Sequence, residues 1–576
     1  MNDNYLVFFE TSGNQAYVYG SNKLRENIGA SELTYRTGTQ WVLEAAGFKD
    51  APTGQPAKFR EWLKKKQVID DVEVVLATSG KSLLVVSGED RAKKIVAAVT
   101  TKALSEAPGL SITGAIVELP DRDDNNSVAA AMKTAHERFN ANRDLMATPS
   151  QRFAMLPFCE PCATTGLPAT KKQDEVFLSS IALKKRDNKD AWFKRIHEIF
   201  VARESNLSIS SSADALEKDF EGFSWLGVVF ADGNGLGQVM MNFDKWLSAD
   251  DDYLDTLRAF SVELDTATED AFYAACCELA EMGSAKVTGG GQKKRLPLVP
   301  LLLGGDDLTV LVDGYLALPF TKAFLDAFEK ETEKQMTINR IAQNALAVGR
   351  LSASAGVAIV KAHFPFHSAH ALAESLLKSA KLAKKHVKHS DKDNAFPCSA
   401  LDFHILFDAA FSSLDDIRKE RRTAKTNSDE EYRLWGGPYV VTPSTRLAGA
   451  PDVGKQWASS HALDDLLARV DLLNASDENN RLKLPNSQMH ALREALPQGK
   501  QVADARLAEM RWLDKYGLDK LTENESKDSL FRKDNDHHAT RFLDALTSSE
   551  FWGKSPKSKA IPATDGAGVT DGENNL

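Results

Sequence analysis

Three aspartates at the ends of apolar segments are the residues of this chain best suited to carry chemistry. Asp306 and Asp307 interrupt the stretch LVPLLLGGDDLTVLVDG, whose apolar runs predict two buried strands joined by a tight turn. Adjacent carboxylates at the tip of a buried hairpin repel each other unless a cation neutralises them. Hard oxygen ligands of this kind favour Mg²⁺ or Mn²⁺. The stretch therefore predicts a metal site, with an ordinary turn and two solvated acids as the alternative.

A third carboxylate comes from the stretch LGVVFADGNGLG, in which Asp232 ends another apolar run. The glycines after it leave backbone N–H groups free to face phosphate oxygens, although a tight strand-to-helix connection explains them equally well. Three converging carboxylates can hold two metal ions for in-line attack on the α-phosphate of a nucleotide. The positions predicted to line the nucleotide beside these aspartates are Gly233, Asn234, Gly235, Gly304 and Gly305.

A lysine-rich segment offers positive charge for phosphate groups. The stretch AHALAESLLKSAKLAKKHVKH predicts one helix, with an apolar stripe that reaches Val387. The lysines on another face of this predicted helix are Lys381, Lys384, Lys385 and Lys388. A solvated basic face accounts for most of them, and we expect one to reach a triphosphate.

The segments that must position these residues share one order of predicted elements. Residues 221–410 predict strand, helix, hairpin, helix, strand and helix, and residues 1–120 have a similar order. In the first segment, YLVFFETSGNQAYVYGS predicts two strands about a polar turn, and VEVVLATSGKSLLVVSG predicts a hairpin. The sequence therefore predicts an α+β fold with two ferredoxin-like, palm-like domains.

The N-terminal copy lacks the carboxylates of the second. Its hairpin turn, Thr78 to Ser82, contains no acid, and Glu10 is the one acid beside the turn that follows its first strand. We expect this copy to be degenerate and non-catalytic, with room to bind a second nucleotide.

The rest of the chain predicts supporting regions. Residues 121–220 predict a mostly helical linker, residues 411–552 a C-terminal helical domain, and the Pro/Gly/Asp/Ser-rich residues 553–576 a disordered tail. Five cysteines do not make a disulfide framework, and no signal peptide or long apolar segment is present, which predicts a cytoplasmic protein without a membrane span. A net charge of −10 argues against a protein that coats nucleic acid generally.

Four stretches together resemble a known family. FADGNGLG, LLLGGDDLTVLV, SASAGVAIVKAHFPFHSAHALAESLLKSAK and SALDFHILFD are similar, over about residues 223–410, to the second palm domain of the large polymerase/cyclase subunit of type III CRISPR effector complexes. That palm is related to GGDEF diguanylate cyclases and class III nucleotide cyclases. The resemblance implies conversion of ATP into cyclic oligoadenylates by two metal ions on Asp232, Asp306 and Asp307. It also implies that Lys381 contacts the nucleotide phosphates.

The chain departs from the family pattern in two places. No His-Asp pair of an HD-type nuclease precedes the first palm-like module, so we expect a standalone relative. The zinc ribbon of the family has two cysteine pairs, whereas Cys159 and Cys162 form the one C-x-x-C pair here, which indicates a decayed ribbon. The expected partners are nucleoside triphosphates, an activating RNA or phage-derived ligand, and a second copy of the chain or defence-system proteins.

Three other functions fit parts of the pattern. A palm protein could sense a nucleotide or RNA without synthesis, but a sensor does not need three converging carboxylates. A catalytic palm could instead make a linear chain. A subunit of an RNA-guided complex is the third alternative, and the acidic net charge and missing nuclease count against it.

Overall fold

The computed structural model describes residues 3–147, 149–173, 175–210, 213–220, 223–288, 293–389, 395–407, 413–425, 431–476, 484–513, 518–522, 528–534 and 537–552. The predicted disordered tail, 553–576, lies outside the described residues. None of the described helices combines the length and the apolar composition that crossing a bilayer requires.

The N-terminal domain is built on a five-stranded sheet with the order β2-β3-β4-β1-β5. Its strands are β1 (Asn4–Ser12), β2 (Gln67–Ile69), β3 (Val72–Thr78), β4 (Lys81–Ser87) and β5 (Ser111–Leu119). Its helices are α1 (Asn14–Tyr19), α2 (Leu24–Gly38), α3 (Gln40–Ala46), α4 (Pro56–Lys64), α5 (Glu89–Glu106) and α6 (Asn125–Asp144). Helix α6, which follows the predicted boundary at residue 120, packs on β1 and β5.

A connecting region packs mainly against α2. Its helices are α7 (Pro149–Arg152), α8 (Ser180–Asp187), α9 (Lys189–Val201) and α10 (Ala213–Asp219), and its strands are β6 (Lys171–Gln173), β7 (Val176–Leu178) and β8 (Leu207–Ile209). A buried ion pair of 2.6 Å between Arg186 and Glu26 ties α8 to α2.

The second domain is built on a six-stranded sheet with the order β12-β13-β9-β14-β15-β18. The strands of this sheet are β9 (Trp225–Gly233), β12 (Leu298–Gly304), β13 (Asp307–Asp313), β14 (Ala353–Lys361), β15 (Ala400–Ile405) and β18 (Tyr439–Val440), and a separate sheet joins β10 (Lys286–Thr288) and β11 (Lys293–Leu296) to β8. Its helices are α11 (Leu236–Met241), α12 (Phe243–Trp246), α13 (Tyr253–Glu281), α14 (Ala317–Lys334), α15 (Met336–Leu346), α16 (Phe366–Ala380) and α17 (Ala383–His386). Strand β9 is buried at every position except Asp232, as expected for a central strand covered on both faces.

The C-terminal region is helical with a small sheet. Its elements are α18 (Leu414–Arg421), β16 (Thr423–Lys425), β17 (Glu431–Arg433), β18 (Tyr439–Val440), α19 (Asp452–Ser460), α20 (Leu463–Asn474), α21 (Asn486–Ala495), α22 (Lys500–Leu513), β19 (Arg532–Asp534), β20 (His537–Ala539) and α23 (Phe542–Ser548). Four of these strands form a sheet of order β16-β17-β20-β19, and β18 pairs with β15 of the second domain. The prediction of a helical domain over residues 411–552 did not include these strands, because strands of two or three residues are too short to show an alternating pattern.

The two large domains share one topology, and the α+β fold prediction is confirmed. In each, the first strand lies between the second strand of a hairpin and a later antiparallel strand: β3-β4-β1-β5 in one and β12-β13-β9-β14 in the other. Both hairpins also slip in register at the same place, between Val74 and Leu76 and between Pro300 and Leu302. The hairpin tips are therefore equivalent residue by residue, with Lys81 at the position of Asp307.

Two predicted elements were wrong. The segment around Tyr17 to Tyr19 is helix α1 rather than a second strand, because Gly13 adopts a left-handed conformation (φ 68°) that turns the chain out of β1. Three consecutive apolar residues fit either element, so the pattern alone misled. The lysine-rich helix also ends at Ala380, and the chain continues into the separate short helix α17, so the four lysines do not share one helical face.

Candidate metal and nucleotide site

The sheet brings the three predicted aspartates together. Asp232 is near the end of β9, and the pairing of Leu308 with Ala231 sets Asp307 beside it across the β9–β13 ladder. One carboxylate oxygen from each of Asp232, Asp306 and Asp307 lies within 4.8 Å of the others. Within the described part of the chain, this is the one group of three acidic, histidine or cysteine side chains placed closely enough to hold a metal ion.

The Gly304–Asp307 turn presents its two acids through an unusual backbone. Gly304 pairs with Asp307, which leaves Gly305 and Asp306 as the two loop residues. Gly305 has φ 61°, a left-handed conformation that other residues adopt only with strain. Glycine at position 305 therefore lets this turn form without backbone strain, and the predicted contacts of Gly304 and Gly305 with a nucleotide stay predictions.

Glycine is required at positions 233 and 235 for two different local reasons. A Cβ atom on Gly233 would lie 2.7 Å from Asp306 Oδ2, so any side chain there would displace that carboxylate. Gly235 has φ 76° and caps α11, with open space around its Cα. Gly233 therefore makes room for a predicted ligand, whereas Gly235 makes the strand-to-helix connection.

Asn234 is held by protein groups. Its Nδ2 donates to Ser352 Oγ and to the Cys398 carbonyl, each at 3.2 Å, and its Oδ1 accepts from Ser354 Oγ at 2.9 Å. Its backbone N–H donates to the Ser352 carbonyl at 2.8 Å. The predicted contact of Asn234 with a nucleotide stays a prediction, but the side chain already fixes the turn that follows Asp232.

The two acids of the turn are unfavourable as a pair of anions. Burial and the neighbouring Asp306 charge raise the pKa of Asp307 to about 8. Burial also raises the pKa of Asp306, although backbone hydrogen bonds from the turn and from Gly233 oppose the rise. A carboxylate pair that resists ionisation in the absence of a counter-ion is the electrostatic arrangement that a divalent cation stabilises.

Lys381 lies at the same site. Its ammonium contacts Asp232 Oδ2 directly from the position that follows α16. About a quarter of each side chain is exposed, 26% for Lys381 and 27% for Asp232, so both remain accessible from the cavity described next. In this state the lysine neutralises the one aspartate that is not part of the adjacent pair.

A cavity of about 380 Å³ opens over the aspartates, between the two domains. The second domain contributes Asp232, Asp307 and Lys381 to its lining, together with Phe230. The first domain contributes Asn14, Gln15, Tyr19, Thr34 and Ser79. The sequence did not indicate these first-domain residues, because no motif links residues that lie some 150 positions or more from the aspartates.

Tyr19 joins the two domains at the edge of this cavity. Its hydroxyl donates to Thr309 Oγ1 on β13 at 2.7 Å, and its ring stacks on His370 of α16 with centroids 3.9 Å apart. The cavity is therefore bounded by direct contacts between the first domain and the strand that carries Asp307.

The equivalent place in the first domain holds an ion pair. Glu10 pairs with Lys81 across β1 and β4, at the register of Asp232 and Asp307, and Lys81 Nζ lies 3.0 Å from Glu10 Oε1. Gly80 stands where the second domain has Asp306, and a Cβ there would lie 2.3 Å from Thr11 Oγ1. The acids of the second turn are thus replaced by a glycine and a lysine.

The C-x-x-C pair forms a separate feature. Cys159 is partly exposed and Cys162 is buried, and both are free thiols. Hydrogen bonds from Thr164, Thr165 and Ser179 outweigh burial and lower the pKa of Cys162 to about 6. No third cysteine, histidine or acid among the described residues joins the pair closely enough to form a metal-ligand group.

Comparison with known proteins gives a family match over the second domain. Residues 225–393 match the family model described as Cas10/Cmr2, second palm domain. No curated protein sequence matches the chain.

Solved structures are similar over most of the chain. The crystal structure of Csm1 in T. onnurineus is 13% identical, with a TM-score of 0.50, and the match covers 96% of this chain and 70% of that one. A Csm1–Csm4 cassette in complex with cA4 is 12% identical, with a TM-score of 0.47 and the same coverage of each chain. In fold, and in the family match of its second palm domain, the chain resembles the large polymerase/cyclase subunit of type III CRISPR systems.

Proposed function

We propose that this chain is a metal-dependent nucleotidyltransferase that joins ATP into 3′–5′ linked, cyclic oligonucleotides that signal in antiviral, CRISPR-type defence. The observation that carries the proposal is the cluster of Asp232, Asp306 and Asp307 at the cavity between the two palm-like domains. A family match over residues 225–393 supports the palm assignment. ATP and a cyclic product are what the family resemblance implies.

The residues present fit a pair of divalent ions. All three candidate ligands are hard carboxylate oxygens within 4.8 Å of one another, and two of them are adjacent in sequence with raised pKa values. Bound Mg²⁺ or Mn²⁺ would lower the pKa of the attacking ribose hydroxyl and neutralise the charge on the leaving pyrophosphate.

The remaining groups of the site bind and orient the substrate. Lys381 offers an ammonium beside the cavity for the triphosphate, and the open space beside Gly305 leaves room for phosphate oxygens. The side chains of Asn14, Gln15 and Tyr19 form the opposite wall of the cavity. A nucleotide held across both domains would place its 3′-hydroxyl for chain extension and ring closure.

The proposed function includes a cellular location, a trigger and partners. The enzyme acts in the cytoplasm on nucleoside triphosphates, triggered by an RNA or a phage-derived ligand, with defence-system proteins or a second copy of the chain as partners.

The experiment is incubation of the purified chain with each nucleoside triphosphate and Mg²⁺ or Mn²⁺, with and without single-stranded RNA, followed by mass spectrometry. We expect pyrophosphate and oligonucleotides lacking a 5′-triphosphate from ATP, and none from Asp306→Ala/Asp307→Ala. Linear products that keep the 5′-triphosphate would show that the enzyme polymerises ATP without closing a ring. Nucleotide binding without turnover under every condition would favour a sensor.

A further inference from the structure

Helix α13 holds the backbone of the Gly304–Asp307 turn, hereafter called the metal-binding turn because it carries two of the three candidate ligands. The Gly305 N–H donates to Asp265 Oδ1 at 3.3 Å, and the Gly305 carbonyl accepts from Thr268 Oγ1 at 2.5 Å. Asp265 and Thr268 are three residues apart and therefore lie on one face of the helix. Both backbone groups of the residue that precedes Asp306 are thus fixed by α13.

The first domain in turn holds Asp265. Arg60, from α4, places its Nη1 at 3.3 Å from Asp265 Oδ2. Its guanidinium also makes two hydrogen bonds of 2.7 Å to the carboxylate of Glu269, one helical turn further along α13. Arg60 is 7% exposed and Glu269 is 4% exposed, so this fork is desolvated and rigid.

A small cavity separates the turn from the first domain at this point. It has a volume of about 40 Å³ and is lined by Gly304, Leu303 and Ser79 as well as by Arg60 and Asp265. The two hydrogen bonds between α13 and Gly305, and the residues that orient Asp265, are the contacts that position the turn from this side.

We propose that Arg60 is a positioning residue for the metal-binding turn, acting from the first domain through Asp265 on Gly305 and so on Asp306 and Asp307. This inference rests on the proposed function for its catalytic consequence. Groups that orient metal ligands without touching the metal usually change metal affinity or activity by 10–100-fold when removed. The degenerate first domain thus has a defined task, since it supplies the guanidinium that fixes the geometry of the second domain.

The neighbouring Arg203 offers a matched control. It is a partly buried arginine of the same cluster, and its ion pairs are with Glu269 at 2.8 Å and with Asp270. Arg60→Met leaves Glu269 its ion pair with Arg203, and Arg203→Met leaves it the pair with Arg60. Each variant therefore removes one arginine from the Glu269 carboxylate, but only Arg60→Met also removes the ion pair with Asp265.

The test is Mn²⁺ affinity, measured by electron paramagnetic resonance on the full chain, together with kcat and KM for ATP. We expect Arg60→Met and Asp265→Ala to weaken Mn²⁺ binding about tenfold and to lower kcat more than they raise KM. Asp265→Asn keeps an oxygen for the Gly305 N–H but turns its amide nitrogen toward Arg60, so it should weaken Mn²⁺ binding to the same extent as Arg60→Met. Arg203→Met should bind Mn²⁺ as the wild type does.

Equal Mn²⁺ affinities for Arg60→Met and Arg203→Met would overturn the proposal. So would wild-type affinity in Asp265→Ala, whose side chain is one-third exposed (34%) and is the safest of the set to remove. Because Mn²⁺ binding is measured without turnover, a wild-type protein that makes no product would count against the proposed function alone. The affinities would still decide the role of Arg60.

Discussion

Lys81 lies 3.0 Å from Glu10 in the first domain, at the two register positions that Asp307 and Asp232 occupy in the second. One domain thus pairs a single strand-end acid with a lysine at the hairpin tip, whereas the other gathers three acids, of which Asp232 contacts Lys381 and Asp306 and Asp307 form an adjacent pair with raised pKa values. The same fold in one chain therefore contains a self-neutralised tip and a candidate metal site.

We expect metal binding to map to the second domain only. Lys81→Met should leave the Mn²⁺ stoichiometry unchanged, because Glu10 alone cannot replace three ligands. The pair is partly exposed, so the variant should lose less than about 1 kcal/mol of stability. Equilibrium dialysis and thermal unfolding measure both quantities. Additional Mn²⁺ bound by Lys81→Met would show that the first domain retains a latent site.

The contribution of Asp307 to the stability of the metal-free protein should fall as the pH rises from about 4 to about 8. The pKa of Asp307 is about 8 in the folded chain against 3.8 ordinarily, so over this interval the folded state holds a proton that the unfolded state has lost. Deprotonation therefore favours unfolding. Urea unfolding in EDTA at several pH values measures this effect.

Asp307→Asn removes the titrating group and should flatten that part of the pH profile. Mg²⁺ should reverse the trend in the wild type, because it binds the ionised carboxylates and displaces the proton. A wild-type profile identical to that of Asp307→Asn would contradict the raised pKa.

Lys381→Met should separate metal binding from nucleotide binding. Removing the ammonium that contacts Asp232 should tighten Mn²⁺ binding in the absence of nucleotide, since the lysine competes for the same carboxylate. Loss of a charge-assisted contact to phosphate should raise KM for ATP roughly tenfold or more. A Mn²⁺ titration without nucleotide measures the metal affinity, and steady-state kinetics give KM for ATP. An unchanged KM for ATP would place Lys381 outside the substrate site.

Asn234→Ala should act through stability. Its side chain bridges Ser352, Ser354 and Cys398, so truncation leaves buried partners unsatisfied at a cost of roughly 1–3 kcal/mol. The loss should appear in the free energy of unfolding, with KM for ATP little changed at low temperature. A large rise in KM without destabilisation would instead support the predicted direct contact with the nucleotide.

The apolar pattern of single segments was enough to predict the three aspartates of the candidate site. The apolar runs around Asp232 and around Asp306 and Asp307 are long enough to define strands, and an acid at the end of such a run was enough to predict a shared edge. The sequence also predicted the common topology of the two domains. Segments with short or ambiguous patterns failed, as α1 and the break after Ala380 show.

The contacts between the two domains could not be predicted from the sequence. Tyr19 reaches Thr309 and Arg60 reaches Asp265 across more than 200 residues of chain, and neither belongs to a motif. Such pairs depend on how the two domains pack, which periodicity within one segment does not encode.

The most direct test of the account is pyrophosphate release from ATP by the wild type, by Asp307→Ala and by Asp313→Asn in Mn²⁺. Asp313 is an aspartate at the far end of the same strand β13, where it accepts a hydrogen bond from the Tyr315 N–H, and it provides a control for strand stability. The account predicts release by the wild type and by Asp313→Asn, and none above background by Asp307→Ala. Equal release by the wild type and Asp307→Ala would contradict it.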